Sequence, residues 1–395
     1  MTGQICILGA GATRIDRWQA KTDRTDLDLL DEAVRGALEV AGVGRSAVEA
    51  LSFTTPGPGT VQRLFSSYAT ARLGFRNAGK VVESGTGGWT GGLAFDAAAA
   101  EIARGRASVA LALGVWMETG IDTATAMDGA IRSTGDVGYQ TPSGATPLSW
   151  YAMDAQRWLH DTGGARADLA AIAVKNRRHA ALNPLAQFTG DLTIPDVVNA
   201  RPVVAPMGLY DVSPRGDGAA CLILCDRATA EASGQPYTVL TGSAFAHDGA
   251  FQTGGQPVPV MPYKSLARAA ALALEQSGQS MEDMDLFELY APMTVVEANS
   301  VETLGLAALG QGGRAAADGV TAFGGAHPVN VSGGLLSRGH PTGVTALYDL
   351  MELHLQLTGA VGGRQVRDAR HALHACETGK YNGAMVNILT AGGRA

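Results

Sequence analysis

VVESGTGGWTGGLAFDAAAAEIARG, residues 81–105, and VNVSGGLLSRGHPTGVTALYDLMELHLQLTG, residues 329–359, read alike: a strand, a glycine-rich turn, then a long helix. One unit met twice in a chain of this length predicts an internal duplication. Two facing glycine-rich loops, each opening a helix, would set backbone N–H groups and two positive helix ends around one shared pocket. Outward from these units, short apolar runs alternate with amphipathic or alanine-rich stretches, the pattern of an α/β fold. Strands are expected at 4–8, 50–53, 80–83, 108–114 and 219–224. Helices are expected at Asp28 to Ala41, with its stripe of Leu30, Ala33, Val34, Ala37, Leu38 and Ala41, and at Leu93 to Arg104. The polar stretch DRATAEASGQPY, Asp226 to Tyr237, parts the strand-like AACLILC from the next one, TVLTGSAFA. The expected domains are therefore 1–230, with a loop subdomain at about 119–205, and 236–395.

The 395 residues hold 46% apolar and 17% charged side chains, which supports a large buried core and excludes a disordered chain. Thirty basic against 37 acidic residues leave a net charge of −7 with no basic stripe, so nucleic-acid binding is not expected. Cys6, Cys221, Cys225 and Cys376 include no Cys-x-x-Cys pair, and neither a metal site nor a disulfide framework is expected. No apolar run approaches membrane-span length and no charged leader precedes Ile5, so the reading is cytoplasmic, without a membrane partner. GAGATR, Gly9 to Arg14, follows a strand as a dinucleotide fingerprint would, but lacks the third glycine; it reads as a glycine turn after the first strand.

SRGHPTG, Ser337 to Gly343, places His340 at the mouth of a helix with the stripe Val344, Leu347, Met351 and Leu355. An imidazole there tends to stay neutral and can donate an N–H to a developing oxyanion. On this context alone an oxyanion donor and a turn cap fit equally well.

The segment 329–359 resembles the C-terminal signature of the thiolase superfamily, in the sterol-carrier-protein-x and lipid-transfer branch. YAMDAQRWLHDTGGARADLAAIAVKNRRHAALNPLAQF (151–188), SPRGDGAACLILC (213–225) and DLFELYAPMT (285–294) are similar to the branch in the same order, so the likeness spans the chain. It implies a duplicated, five-layered αβαβα thiolase fold, a homodimer, and action on acyl-CoA thioesters, with coenzyme A as part of the substrate and no covalently bound cofactor. Members of the branch often work with a separate zinc-ribbon and OB-fold protein.

The resemblance also assigns residues. His340 and Gly339 match the Gly-His-Pro loop, and Cys376 in HACETG falls at the acid/base cysteine, although an inert buried thiol is an equal reading of it. Two residues on, the family's glycine is replaced by Thr378, which puts that oxyanion donor in doubt. Counting back from Ile102 and Gly105, the nucleophilic cysteine position lands on Gly88, followed by Trp89. Claisen exchange needs a side chain that carries the acyl group, and glycine has none. Ser84, Thr86 and Thr90 are the nearby hydroxyls that could substitute, and Trp89 could fill the space of the missing thiol.

Tyr290 stands where thiolases carry Asn or His, and this substitution resembles the thiolase-like side-chain aldolases, which also lack the nucleophile. Retro-aldol cleavage of a β-hydroxyacyl-CoA needs a base and oxyanion donors but no acyl-enzyme. That lyase reaction is the leading expectation, with Tyr290, His340 and Cys376 as catalytic residues. The alternatives are an acyltransferase with an unusual nucleophile and a non-catalytic subunit. Of the remaining polar residues, His327 and Asn330 lie on the approach to the loop, where Asn330 reads as fixing a turn. Asp217 reads as a backbone feature, Met117 and Glu118 as pocket neighbours, and His160, His179, His354 and His371 as solvated on helical faces.

Overall fold

The computed structural model describes residues 4–85, 87–248 and 263–392. Nine strands form its main sheet: β1 (Ile5–Ala12), β2 (Ala50–Thr54), β3 (Lys80–Ser84), β4 (Val109–Trp116), β5 (Gly218–Asp226), β6 (Thr238–His247), β7 (Leu286–Leu289), β8 (His371–Thr378) and β9 (Gly383–Ala391). Their order is β3-β2-β4-β5-β1-β6-β9-β8-β7. The two halves repeat. In the first, β2 and β4 are parallel, β4 and β5 antiparallel, and β5 and β1 antiparallel. In the second, β7 and β8, β8 and β9, and β9 and β6 pair in the same senses. The halves meet where Ile5 to Ile7 pair antiparallel with Thr238 to Leu240.

The helices repeat as well. α1 (Asp26–Ala41) joins β1 to β2, and α2 (Thr90–Ala103) precedes β4. In the second half α5 (Lys264–Ser277) lies between β6 and β7, and α7 (Thr345–Thr358) precedes β8. Between β4 and β5 of the first half run α3 (Pro147–Thr162) and α4 (Arg166–Ala180), and α6 (Thr294–Thr303) follows β7. Side-chain alternation along the strands sorts the core into layers. Cys6, Leu8, Leu111, Leu113, Cys221 and Ile223 pack on α1, whereas Ala10, Ala112, Leu222 and Leu224 pack inward with α2 and α7. In the second half Cys376, Met385 and Leu389 face the same two helices, while Leu373, Ala375, Val386 and Ile388 turn to α5. The order is helix, sheet, paired helices, sheet, helix: the duplicated αβαβα arrangement.

Most expected elements form with edges moved by a few residues, and α1 begins at Asp26 because Thr25 caps it through a reciprocal bond with Asp28. Several readings are corrected. VNV at 329–331 is not a strand: only Val329 bridges, in parallel, to Phe287, a remnant of the position that β3 fills in the first half. GAGA is not a turn, since Gly9 and Gly11 lie inside β1 with a register shift between Ile7 and Gly9. These glycines let α1 approach the strand: a Cβ on Gly11 would stand 2.3 Å from the Ala33 carbonyl oxygen and 2.5 Å from the Ala37 nitrogen. The loop subdomain expected at about 119–205 contains a helix at Thr123–Thr134 as well as α3 and α4. His179 and His354 are buried, not solvated; His371 begins β8 and bonds Gln279 and Thr390, and His160 alone of the four is exposed on a helix. Among the described residues no helix is long and apolar enough to cross a membrane.

Gly11→Ala should therefore push α1 off the sheet. The expected loss is about 1–3 kcal/mol of stability, as for other overpacked sites, read as a lower urea midpoint. An unchanged midpoint would contradict the close packing assigned to this glycine.

Candidate active site

Tyr290 directly follows β7, and its backbone N–H donates to the Ala375 carbonyl at 2.9 Å, continuing the pairing with β8. One residue earlier, the Leu289 N–H donates to Asn330 Oδ1 at 2.8 Å. Asn330 takes a left-handed φ of 54°, and its Nδ2 donates to Glu297 at 2.7 Å. It anchors the turn to both β7 and α6, which is the structural part expected of it.

The chain then runs through a π-helical turn, Gly334–Arg338, to Gly339, whose φ of 114° suits a residue without Cβ. His340 follows. Its Nε2 lies 2.9 Å from the Tyr290 hydroxyl, and its Nδ1 lies 3.0 Å from Ser213 Oγ. The two rings meet edge to face at 5.4 Å. Burial and the positive charge of Arg338 hold the imidazole far below its usual range, at about 3, so the ring is neutral. A neutral imidazole has one donor and one acceptor nitrogen, which satisfies both bonds. Burial, then the neighbouring Glu377, pushes the Tyr290 phenol well above its usual range, so it keeps its proton.

Gly88, two residues before α2, faces this pair. A Cβ built on Gly88 would stand 2.5 Å from Tyr290 Cζ and 2.7 Å from its hydroxyl. The phenol thus fills the volume that a side chain at position 88 would need. This corrects the expectation for Trp89, which turns aside to meet Phe245 edge to face at 6.0 Å and lies against Gly383. Of the substitute hydroxyls, Thr90 is buried and donates to the Gly87 carbonyl at 2.7 Å, and Ser84 ends β3; Thr86 lies outside the described residues.

Cys376 on β8 is buried, and a Cβ on Gly92 of α2 would be 2.8 Å from its Sγ. Burial and the nearby Asp349 and Glu377 raise its thiol well above the ordinary range, so it holds its proton. A void of about 10 Å³ is lined by Tyr290, Cys376, Glu377 and Tyr381 among others. The structure thus gathers Gly88, Tyr290, His340 and Cys376, while Thr378 ends β8 opposite Gly383, partly exposed. Burial raises the Glu377 carboxyl well above its ordinary range, and its Oε1 accepts from Tyr151 at 3.2 Å.

Two participants were not foreseen. Ser213 belongs to SPRGDG, far from His340 in sequence; its N–H donates to the Pro292 carbonyl, which ties it beside Tyr290. Arg338 is fully buried, pairing with Asp349 at 2.6 Å, with Glu288 at 3.7 Å, and donating to Ser332 Oγ at 3.0 Å. A lone charge in the apolar run GGLLSRGHP was the available signal, because a charge is buried only with partners. Asp217 is the backbone anchor expected: its carboxylate accepts from the N–H groups of Gln19, Glu118 and Thr119 at 2.8–3.0 Å. Burial lifts the Glu118 carboxyl to about 7. His327 stands edge-on to Phe287 at 6.2 Å, away from the imidazole pair. Among the described residues no group of three His, Cys, Asp or Glu could hold a metal ion.

The paired sheets, with a glycine-rich loop opening each central helix, define a thiolase-type protein in which the Tyr290 ring fills the space a side chain at position 88 would need. Comparison with known proteins agrees. The family description "Thiolase C-terminal domain-like" matches residues 256–391. The chain is 32% identical to an acetyl-CoA acetyltransferase of Methanothermobacter thermautotrophicus, over 98% of this chain and 99% of that protein. It is 26% identical to a steroid side-chain-cleaving aldolase of Thermomonospora curvata, over 89% of this chain and 90% of that one. Among solved structures, the Ltp2-ChsH2(DUF35) aldolase superposes with a TM-score of 0.85 at 26% identity, covering 98% of each chain. The chain belongs to the thiolase superfamily, in the branch that holds the sterol carrier proteins and the thiolase-like aldolases.

Because Tyr290 occupies the volume in question, Gly88→Cys should not create a thiolase. Acetoacetyl-CoA thiolysis is expected to stay at background in this variant. Appearance of thiolysis would show that the phenol yields its place and that the remaining machinery is intact.

Proposed function

We propose that this protein cleaves the Cα–Cβ bond of a β-hydroxyacyl-CoA by a retro-aldol reaction. One observation carries the reading: position 88 has no side chain, and the phenol in its place is hydrogen-bonded to a neutral histidine. The Tyr290–His340 pair can accept the β-hydroxyl proton, the phenol taking it as its own proton passes to Nε2, while Ser213 holds the other ring nitrogen. The Cα–Cβ electrons move into the thioester, forming an enolate, and an aldehyde or ketone departs. Returning the same proton through the pair to Cα gives the shortened acyl-CoA and restores both residues. Protons balance, and no oxidant or reductant is consumed. The high proton affinity of the phenol and the low one of the imidazole both oppose a standing ion pair, so proton loss and bond cleavage are coupled in this scheme. Cys376, protonated and on the same void as Tyr290, is the alternative donor to Cα.

The similarity to two aldolases supports this reading, and coenzyme A enters it only as part of the substrate. The acetyltransferase relative favours a second one, acyl transfer through Ser84 or Thr90. Against it, the Thr90 hydroxyl is buried and bonded to its own turn. We further infer a homodimer that works with a zinc-ribbon and OB-fold subunit; the similar aldolase is itself described as a pair, Ltp2 with ChsH2.

Tyr290→Phe removes one oxygen and keeps the ring. With a β-hydroxyacyl-CoA that the parent cleaves, kcat should fall by about a hundredfold or more with KM and the circular dichroism spectrum retained. Cleavage at the parent rate would make the phenol structural.

A further inference from the structure

A second cavity, of about 580 Å³, lies between α4, the short helix Ile194–Val198 and the segment 316–323, within the roughly 300–1,000 Å³ usual for small-molecule sites. Neither Gly88, Tyr290, His340 nor Cys376 lines it. Its walls are mainly apolar, from Val174, Leu182, Ile194, Pro195 and Phe323 with several alanines. Three basic side chains, Lys175, Arg178 and His179, complete the lining, and no carboxylate takes part.

Two of these three are already committed. Lys175 pairs with Glu297 at 2.5 Å and donates to the Val329 carbonyl at 2.9 Å. His179 uses both ring nitrogens: Nε2 accepts from the Phe323 N–H at 3.2 Å, which leaves Nδ1–H to donate to the Asn330 carbonyl at 3.0 Å. Burial and the charge of Lys175 hold that ring neutral, at about 3. Arg178 differs. It is exposed, and among the described residues its guanidinium has no ion pair or side-chain hydrogen bond. The cavity therefore offers an apolar chamber with one unengaged, permanently charged fork at its lining.

We propose that this cavity binds an amphiphile with an apolar body and a single anionic head, the head held by Arg178 and the body lying against Val174, Leu182, Ile194 and Phe323. A carboxylate and a phosphate share the chemistry that a guanidinium recognises. An uncharged head would forgo the charge-assisted bond to the guanidinium. The site is independent of the reaction proposed above, because it shares none of the four active-site residues.

Calorimetric titration of the full chain with decanoate, decyl phosphate and decanol tests this. Either acid should bind, with decanol weaker by about tenfold or more, the worth of a charge-assisted hydrogen bond. The acid that binds more tightly identifies the head. In Arg178→Gln, a surface change, that advantage over decanol should vanish. Ala317→Trp, at an exposed position of the lining, should abolish binding of all three by filling the chamber. Decanol binding as tightly as both acids would overturn the proposal, as would acid binding that survives both substitutions, or no acid binding below about 1 mM.

Discussion

The hydroxyl of Tyr290 and a side chain at position 88 cannot share one volume, and this exclusion organises the centre of the molecule. With glycine at 88 the phenol reaches His340 at 2.9 Å, and each neighbouring element holds one member of that pair. Asn330 fixes the end of β7 that presents Tyr290, and Ser213 holds the far nitrogen of the imidazole. Arg338, two residues before His340, is clamped to Asp349 at the start of the following helix. Such a buried pair is costly to desolvate and costly to break, so it is better suited to fixing geometry than to adding stability. Burial keeps the nearby imidazole unprotonated and the charge of Arg338 reinforces it, so the clamp that positions the histidine also contributes to its ionisation.

The duplication explains why these groups meet. Each half contributes a central helix, α2 or α7, and the loop entering it; packed together in the middle layer, they bring the loops at 87–89 and 333–344 to one place. The halves are not equal. The first retains β3 before its loop, whereas the second keeps a single bridge at Val329, so the chain there is free to make the π-helical turn that delivers Arg338 and His340.

Much of the fold was legible because it rests on local periodicity: the stripe of α1 and the alternating strands survive in the structure, and the repeated unit survives as turn and helix, with its second strand reduced to one bridge at Val329. The thiolase-like architecture followed from ordered motifs, and the family comparisons bear it out. What failed depended on partners remote in sequence. Gly9 and Gly11 look like a turn until α1 is seen pressing on their Cα atoms. His179 and His354 sit on stretches polar enough to suggest solvent, yet the first is enclosed by Asn330 and Phe323 and the second by Thr238. Trp89 was the nearest large side chain to the gap at Gly88, but the residue that fills it comes from the other half of the chain. Ser213 gave no local sign, since its role exists only through its distance to His340.

An acyl-enzyme requires a covalent carrier, and a phenol-based lyase does not, so intact-protein mass spectrometry separates them most directly. The protein would be incubated with isotope-labelled acetyl-CoA and, separately, with a panel of β-hydroxyacyl-CoA esters bearing short, aromatic or steroid groups, with and without a zinc-ribbon partner. The expected result is an unchanged protein mass throughout, together with release of an aldehyde or ketone and a shortened acyl-CoA from at least one ester. A labelled acetyl group retained on the protein would contradict the lyase assignment and establish acyl transfer instead.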